Sequence, residues 1–280
     1  MGKYRTCDHC GSSLDPGERC TCMDKQEPET ETKKPNNLSK VFQKYTAVVI
    51  FDTETTGLNI DLDQVIELAA IRVEQNADGH PVITDRLDQF IRLPYGKFVP
   101  EKIVNLTGIT DKMLEEEGVP YYVATANFVN MLNSQKGPVL LVAHGAQFDL
   151  SFLRKQFTFS SHSMEQLEAV DYLDTLTVFK DRRPYPHKLE DAIVAYKLQD
   201  KVQNSHRAID DVKALLEVLL AMDNERADLL TYVNLFGYNP KYGVSFRRIK
   251  DVDYWPQHFH NFMVGPNDTL PVTRRRAIGL

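Results

Sequence analysis

Hydrophobic and polar positions change their spacing several times along this chain, and each change marks an element. The run AVVIF (47–51) gives way to DTET (52–55), and QVIELAAIRVE (64–74) and RLDQFIRL (86–93) follow with partial alternation. These three segments read as successive strands. Gly79 and His80, preceded by Asn76 and Asp78, mark the turn between the second and the third. Helical spacing appears around residues 111–117 and 121–133, and PVLLVAH (138–144) is a short, fully apolar strand with a helix after it from about Asp149. KLEDAIVAYKL (188–198) and RAIDDVKALLEVLLAM (207–222) are two further amphipathic helices. Strands first, then helix and strand in alternation, predict an α/β domain whose mixed sheet is covered by helices.

The flanks differ from this pattern. All four cysteines, Cys7, Cys10, Cys20 and Cys22, fall within the first 22 residues. Two closely spaced pairs across a loop containing Gly and Pro suit a tetrahedral structural zinc site, in the manner of a zinc ribbon or knuckle, in a segment too short for its own core. Two disulfides are the rival arrangement, disfavoured in a reducing compartment. Residues 23–44, rich in charge, Pro and Asn, read as a flexible linker. Residues 45–222 form the main domain. Residues 223–280 are a C-terminal extension in which rings and basic side chains interleave, as in NLFGYNPKYGVSFRRIK (234–250). Such mixing suits either a platform for single-stranded nucleic acid or, the plainer expectation, rings packed against the main domain.

With 280 residues and 42% hydrophobic content, the chain can bury at least one full core. A net charge of −6 argues against a uniformly basic nucleic-acid coat but leaves room for a local positive groove. No apolar run approaches the ~20 residues that span a bilayer, and the N-terminus lacks a signal-like apolar stretch. A soluble, cytoplasmic protein with no membrane partner is expected.

Three places put acids where burial makes them costly. Asp52 and Glu54 end the first strand and, two residues apart, project to the same face while Thr53 points away. Their plain reading is a strand-end pair satisfied by nearby backbone N–H groups. Asp149 begins a helix just after the strand ending at His144, where it would serve as an ordinary cap. In the last helix Ala208, Val212, Leu215 and Leu219 make the apolar stripe, and Asp211 lies on that side whereas Asp210 lines up with Lys213 and Glu217 on the polar face. Together the four acids make sense around hard divalent cations, Mg2+ or Mn2+, which take oxygen ligands and relieve carboxylate repulsion. Two such ions ~4 Å apart activate water and stabilise the leaving oxygen of a phosphodiester. His206, just before the last helix, would accept the proton of that water.

The motifs FDTETTGL (51–58), AHGAQFD (143–149) and HRAIDD (206–211), in this order, resemble the DEDDh family of 3′-to-5′ exonucleases, with further matches at NLTGIT (105–110), DTL (174–176) and HKLEDA (187–192). Within that family they look most like the proofreading epsilon subunit of bacterial DNA polymerase III and the exonuclease of the Gram-positive replicative polymerase. The resemblance implies an RNase H-like fold and release of nucleoside 5′-monophosphates from DNA 3′ ends. By position, Asp52, Glu54, Asp149 and Asp211 match the metal carboxylates and His206 the general base, five residues before Asp211. Thr55 and Leu58 match positions that hold the terminal nucleotide, and His144 of the second motif is a further candidate substrate contact. Gly145 departs from the family's pattern, which usually has Asn there, and so bears on substrate positioning. The expected partners are single-stranded or frayed DNA ends and a polymerase or another replication or repair protein. Trimming of RNA ends is the alternative activity. A non-catalytic module binding nucleic acid or a polymerase is the third reading.

Overall fold

The computed structural model describes residues 37–157, 161–202 and 207–257, with residues 5–6 and 13–14 near the N-terminus. Backbone contacts divide the chain into two units, Met1–Pro35 and Asn36–Leu280. In the first, the short strands β1 (Arg5–Thr6) and β2 (Ser13–Leu14) pair antiparallel. Cys7, Cys10, Cys20 and Cys22, and with them the expected zinc site, lie outside the described residues.

The second unit is built on a five-stranded mixed sheet in the order β5-β4-β3-β6-β7. β3 (Ala47–Thr55), β4 (Val65–Gln75) and β5 (Pro81–Phe90) form an antiparallel meander, and β6 (Val139–Ala143) and β7 (Asp171–Asp174) add in parallel on the other side of β3. Period-two alternation divides the buried residues between two faces. Val48 and Ile50 of β3 meet Val212, Leu215 and Leu219 of α9 (Ala208–Glu225), with Val178 of α7 (Thr175–Arg182) and Ile193 of α8 (Leu189–Ala195). Val49 and Phe51 meet the other layer, Phe128 of α4 (Tyr121–Leu132), Leu150 of α5 (Ala146–Phe157) and Leu167 of α6 (Ser161–Glu168). The short helices α2 (Glu101–Thr107) and α3 (Asp111–Glu116) form a smaller core, where Ile109 and Leu114 meet Ile66 of β4.

Two segments differ from the sequence expectation. The linker read over 23–44 does not remain a linker to its end, because Ser39–Lys44 form helix α1 and Leu38, Val41 and Tyr45 are buried in the α9-side core. Spaced three and four apart, these residues make an apolar stripe that the surrounding polar residues conceal. The helix after β6 starts at Ala146, so Asp149 stands in its first turn rather than at its cap. After α9 comes a single 3-10 turn (Leu229–Tyr232) and then β8 (Leu235–Tyr238) and β9 (Asp253–Pro256), a parallel pair. Phe236 and Tyr254 of this pair join the α5-side core. Among the described residues no helix is long and apolar enough to cross a membrane.

Candidate active site

β3 outlasts its neighbour. β6 pairs with β3 only as far as Ile50 opposite Val142 and ends at Ala143, so the last residues of β3 project beyond the parallel part of the sheet. Open sheets with parallel strands bind ligands at such carboxyl ends. Asp52 and Glu54 continue the face of Val48 and Ile50, which α9 covers, and Asp211 comes from the first turn of α9. One oxygen from each of the three carboxylates lies within 4.8 Å of the others. Asp210 turns to solvent and pairs with Lys213 at 3.1 Å, as the helical spacing predicts.

Asp149 reaches the same strand from the opposite layer. Its Oδ1 accepts hydrogen bonds from the Thr53 hydroxyl at 2.6 Å and the Thr53 backbone N–H at 3.2 Å. Thr53 faces away from Asp52 and Glu54, so the side chain with no evident role in the sequence is the one that tethers the fourth acid. The cluster of three therefore omits Asp149, although its charge still acts on Asp52.

Crowding and burial hold protons on Asp52, Glu54 and Asp149. Desolvation is the largest cause for each, and like charges add to it. Asp52 is raised well above the ordinary aspartate range by burial, then by Asp149, Glu54 and Asp211. Burial and then Asp211 push Glu54 up to about 8. Burial carries Asp149 to about 7 against the opposing hydrogen bonds from Thr53. A set of hard oxygen donors that repel one another at neutral pH fits divalent cations of the Mg2+ or Mn2+ type.

Glu67, not singled out by the sequence reading, fixes how α9 meets β3. It lies directly opposite Glu54 in the β3–β4 register and is fully buried. Its carboxylate accepts from Arg207 Nη2 at 2.8 Å and Nε at 3.1 Å, and from the Ala208 backbone N–H at 3.0 Å. A side chain from the sheet thus caps α9, whose own N-cap residue Arg207 supplies no side-chain acceptor. A charged residue inside the apolar run VIELAAI was the available signal.

Asp174, at the end of β7, plays a comparable part for α5. It accepts from the backbone N–H groups of Gly145 (2.8 Å), Ala146 (3.2 Å) and Leu176 (3.1 Å) and from the Thr177 hydroxyl (2.7 Å). Gly145 has a φ of +93°, a region where a β-carbon is strained, and the turn it makes starts α5 and so places Asp149.

The remaining expected residues fall as follows. His144 lines a cleft of about 470 Å3 together with Asp52, Asp211, Tyr185 and His187. Both of its ring nitrogens are engaged, Nδ1 with the Thr175 hydroxyl and Nε2 with the His187 carbonyl, each at 3.0 Å, and burial lowers its pKa. Thr55 is buried and donates its hydroxyl to the Gly57 carbonyl at 2.6 Å, while Leu58 is 78% exposed on the following loop. His206 lies outside the described residues.

The comparison with known proteins gives this geometry a family. Residues 49–219 match the RNase T exonuclease model, described as Exonuclease. The chain belongs to the RNase T-type exonuclease family. The family match spans β3 through α9 and so contains every acid of the cluster. Among curated relatives, the PolC-type DNA polymerase III of Clostridium perfringens is 29% identical over 79% of this chain, and that of Halalkalibacterium halodurans 34% identical over 67%. The chain spans only 14% and 12% of those two proteins. Among solved structures, Escherichia coli exonuclease I in complex with a dT13 oligonucleotide superposes with a TM-score of 0.55 at 18% identity, covering 67% of this chain and 43% of that one. Cell-death related nuclease 4 gives 0.53 at 17% identity, covering 65% of each chain. These likenesses establish the fold as that of the exonucleases.

Proposed function

We propose that this exonuclease-family chain removes nucleotides one at a time from the 3′ ends of DNA, releasing nucleoside 5′-monophosphates, as in proofreading or repair. The observation that carries the reading is the meeting of Asp52, Glu54 and Asp211, from a strand and a helix, within 4.8 Å, with Asp52 and Asp211 lining a cleft. In this reading the three carboxylates with Asp149 hold two Mg2+ or Mn2+ ions. Such ions neutralise the phosphoryl oxygens and make water acidic enough to attack at neutral pH.

The protein's own groups do the rest. His206 takes the proton of the attacking water; as the new P–O bond forms, the bond from phosphorus to the 3′ oxygen of the preceding nucleotide breaks, the terminal nucleotide leaves as its 5′-monophosphate, and the freed 3′ oxygen takes up a proton from solvent to become the new 3′-OH. Arg207, its neighbour in the chain, is anchored to Glu67, which fixes the start of α9 and hence Asp211. Thr53 orients Asp149 through two hydrogen bonds to one oxygen. Thr55, Leu58 and the ring of His144 border the terminal nucleotide. Cys7, Cys10, Cys20 and Cys22 hold a structural zinc in residues 1–22, and a replication or repair protein is the proposed partner of the segments outside the exonuclease match.

The test is a 5′-labelled single-stranded DNA and an RNA of matched sequence, incubated with purified protein and Mg2+ or Mn2+. A one-nucleotide ladder on DNA that disappears with chelator and in Asp52→Ala is the expected result. A faster ladder on RNA would shift the assignment to RNA trimming, and binding without cleavage of either would leave a nucleic-acid-binding module.

A further inference from the structure

A second cavity, of about 330 Å3, lies beside the cleft that contains Asp52 and Asp211, and Leu176 and Lys180 line both. Its lining includes Phe148 of α5 and, from the C-terminal extension, Tyr238, Tyr242, Phe246 and Tyr254. Residues 236–250 carry Lys241, Arg247, Arg248 and Lys250 and no acidic residue, in a chain whose net charge is −6. Among the described residues of its lining the one carboxylate, Asp174, is taken up by its four donors.

A hydrogen-bond clamp fixes the segment that carries Phe246 on the cavity wall. Phe246 has a φ of +61°, a left-handed conformation that a bulky residue adopts only when its surroundings impose it. Gln147 imposes it: its Nε2 donates to the carbonyls of Ser245 and Arg247, the two neighbours of Phe246, each at 2.9 Å. The Gln147 Oε1 accepts from the Tyr254 hydroxyl at 2.6 Å, which in turn accepts from the Ile249 N–H at 2.9 Å. Phe246 then meets Phe148 edge-on with ring centroids 5.9 Å apart. Gln147 stands two residues before Asp149, so the helix that supplies the fourth acid also shapes this wall.

Rings that face a cavity, with cations on the same loop and the hydrolytic cleft next door, are what a single strand needs: bases stack and phosphates find positive charge. We propose that this cavity is a nucleobase-binding subsite for the substrate DNA strand, taking a base internal to the scissile end, with Phe246 and Tyr242 as its stacking rings. The proposal rests on the nuclease reading above, and it assigns to the extension a role in gripping the strand.

The test separates the two. Hydrolysis of the p-nitrophenyl ester of thymidine 5′-monophosphate by the wild-type chain, which needs no further nucleotide, examines the nuclease reading alone. Affinity for a fluorescein-labelled 12-nucleotide DNA, measured by anisotropy in Ca2+, examines the subsite. Placing an abasic site at each position in turn should reveal one internal position where the wild-type chain loses about tenfold in affinity, as expected for a stacked base. Phe246→Gly, which relieves the left-handed strain, and Tyr242→Ala, at an exposed ring, should bind the intact strand about tenfold more weakly and no longer sense the abasic position. Tyr242→Trp should restore both. Should Phe246→Gly melt early, Tyr242→Ala decides. Unchanged affinity in the variants, or an abasic scan with no internal step, overturns the subsite whatever the ester shows; a silent ester with a clear step removes the nuclease reading and keeps the subsite.

Discussion

Arg207 and Glu67 are 140 residues apart in sequence and meet in a two-pronged ion pair, 2.8 and 3.1 Å, in which the carboxylate is fully buried. The same carboxylate caps α9 through the Ala208 N–H and lies opposite Glu54 across the β3–β4 ladder. Like charges directly opposite in a sheet repel, so Arg207 serves both to neutralise Glu67 and to bring the helix of Asp211 to the strand of Glu54. Glu67→Gln keeps the shape and removes the charge. It is expected to lower folding stability by about 1.5–3 kcal/mol, the range for a lost hydrogen bond to a charged group, measured as a shift of the urea midpoint. An unchanged midpoint would mean that the pair does not hold α9.

Asp174 carries four donors on one side chain, three from backbone and one from Thr177. Asp174→Ala leaves the Gly145 and Ala146 N–H groups at the start of α5 without that acceptor. A loss of about 2–4 kcal/mol is expected from the broken cap and the stranded donors, read by denaturant melting. Asp174→Asn, which keeps one acceptor oxygen, should fall between the two.

Gly145 is a sharper test of backbone geometry. At a φ of +93°, a β-carbon would stand 3.6 Å from Leu176, so there is space for it but an unfavourable conformation. Gly145→Ala is expected to cost about 1–2 kcal/mol, with little of that due to crowding. Thermal melting checks it, and a variant as stable as the parent would show that the turn relaxes freely.

The raised carboxyl groups set the sign of the pH dependence. Asp149 and Glu54, near 7 and 8 in the folded chain, keep protons that the unfolded chain has released from about pH 4 upward. The folded state then binds more protons than the unfolded state across this window, so the site's contribution to stability falls as pH rises from about 4 to 8. In EDTA the melting temperature should be lower at pH 8.5 than at pH 6. Added Mn2+ should raise it more at pH 8.5, because deprotonated ligands bind the ion. Melting that ignores both pH and Mn2+ would contradict the electrostatic picture.

Much of this site was legible because the signals were local. The strand AVVIFDTET appears in the structure with the same ends, and helical spacing alone separates Asp211, turned to β3, from Asp210, paired with Lys213. The sequence reading grouped Asp149 with the other acids but did not show that it approaches from the opposite layer through Thr53, since that depends on how α5 packs. Glu67 and Asp174 were missed for a related reason. Glu67's partners Arg207 and the Ala208 N–H, and the Gly145 and Ala146 N–H groups on Asp174, are brought near only by the fold. The eight residues of α7 are too few for a clear period, although its cap Asp174 opens the DTL motif. The stripe of Leu38, Val41 and Tyr45 was hidden inside polar surroundings.

The central claim is that Asp52, Glu54, Asp149 and Asp211 are metal ligands, and calorimetric titration of metal-free protein with Mn2+ at pH 8 tests it most directly. The account predicts two bound ions per chain, with Asp52→Ala losing at least one of them while its circular dichroism stays that of the parent. A parent chain that takes up no Mn2+, or an Asp52→Ala chain that binds it as the parent does, would contradict the account.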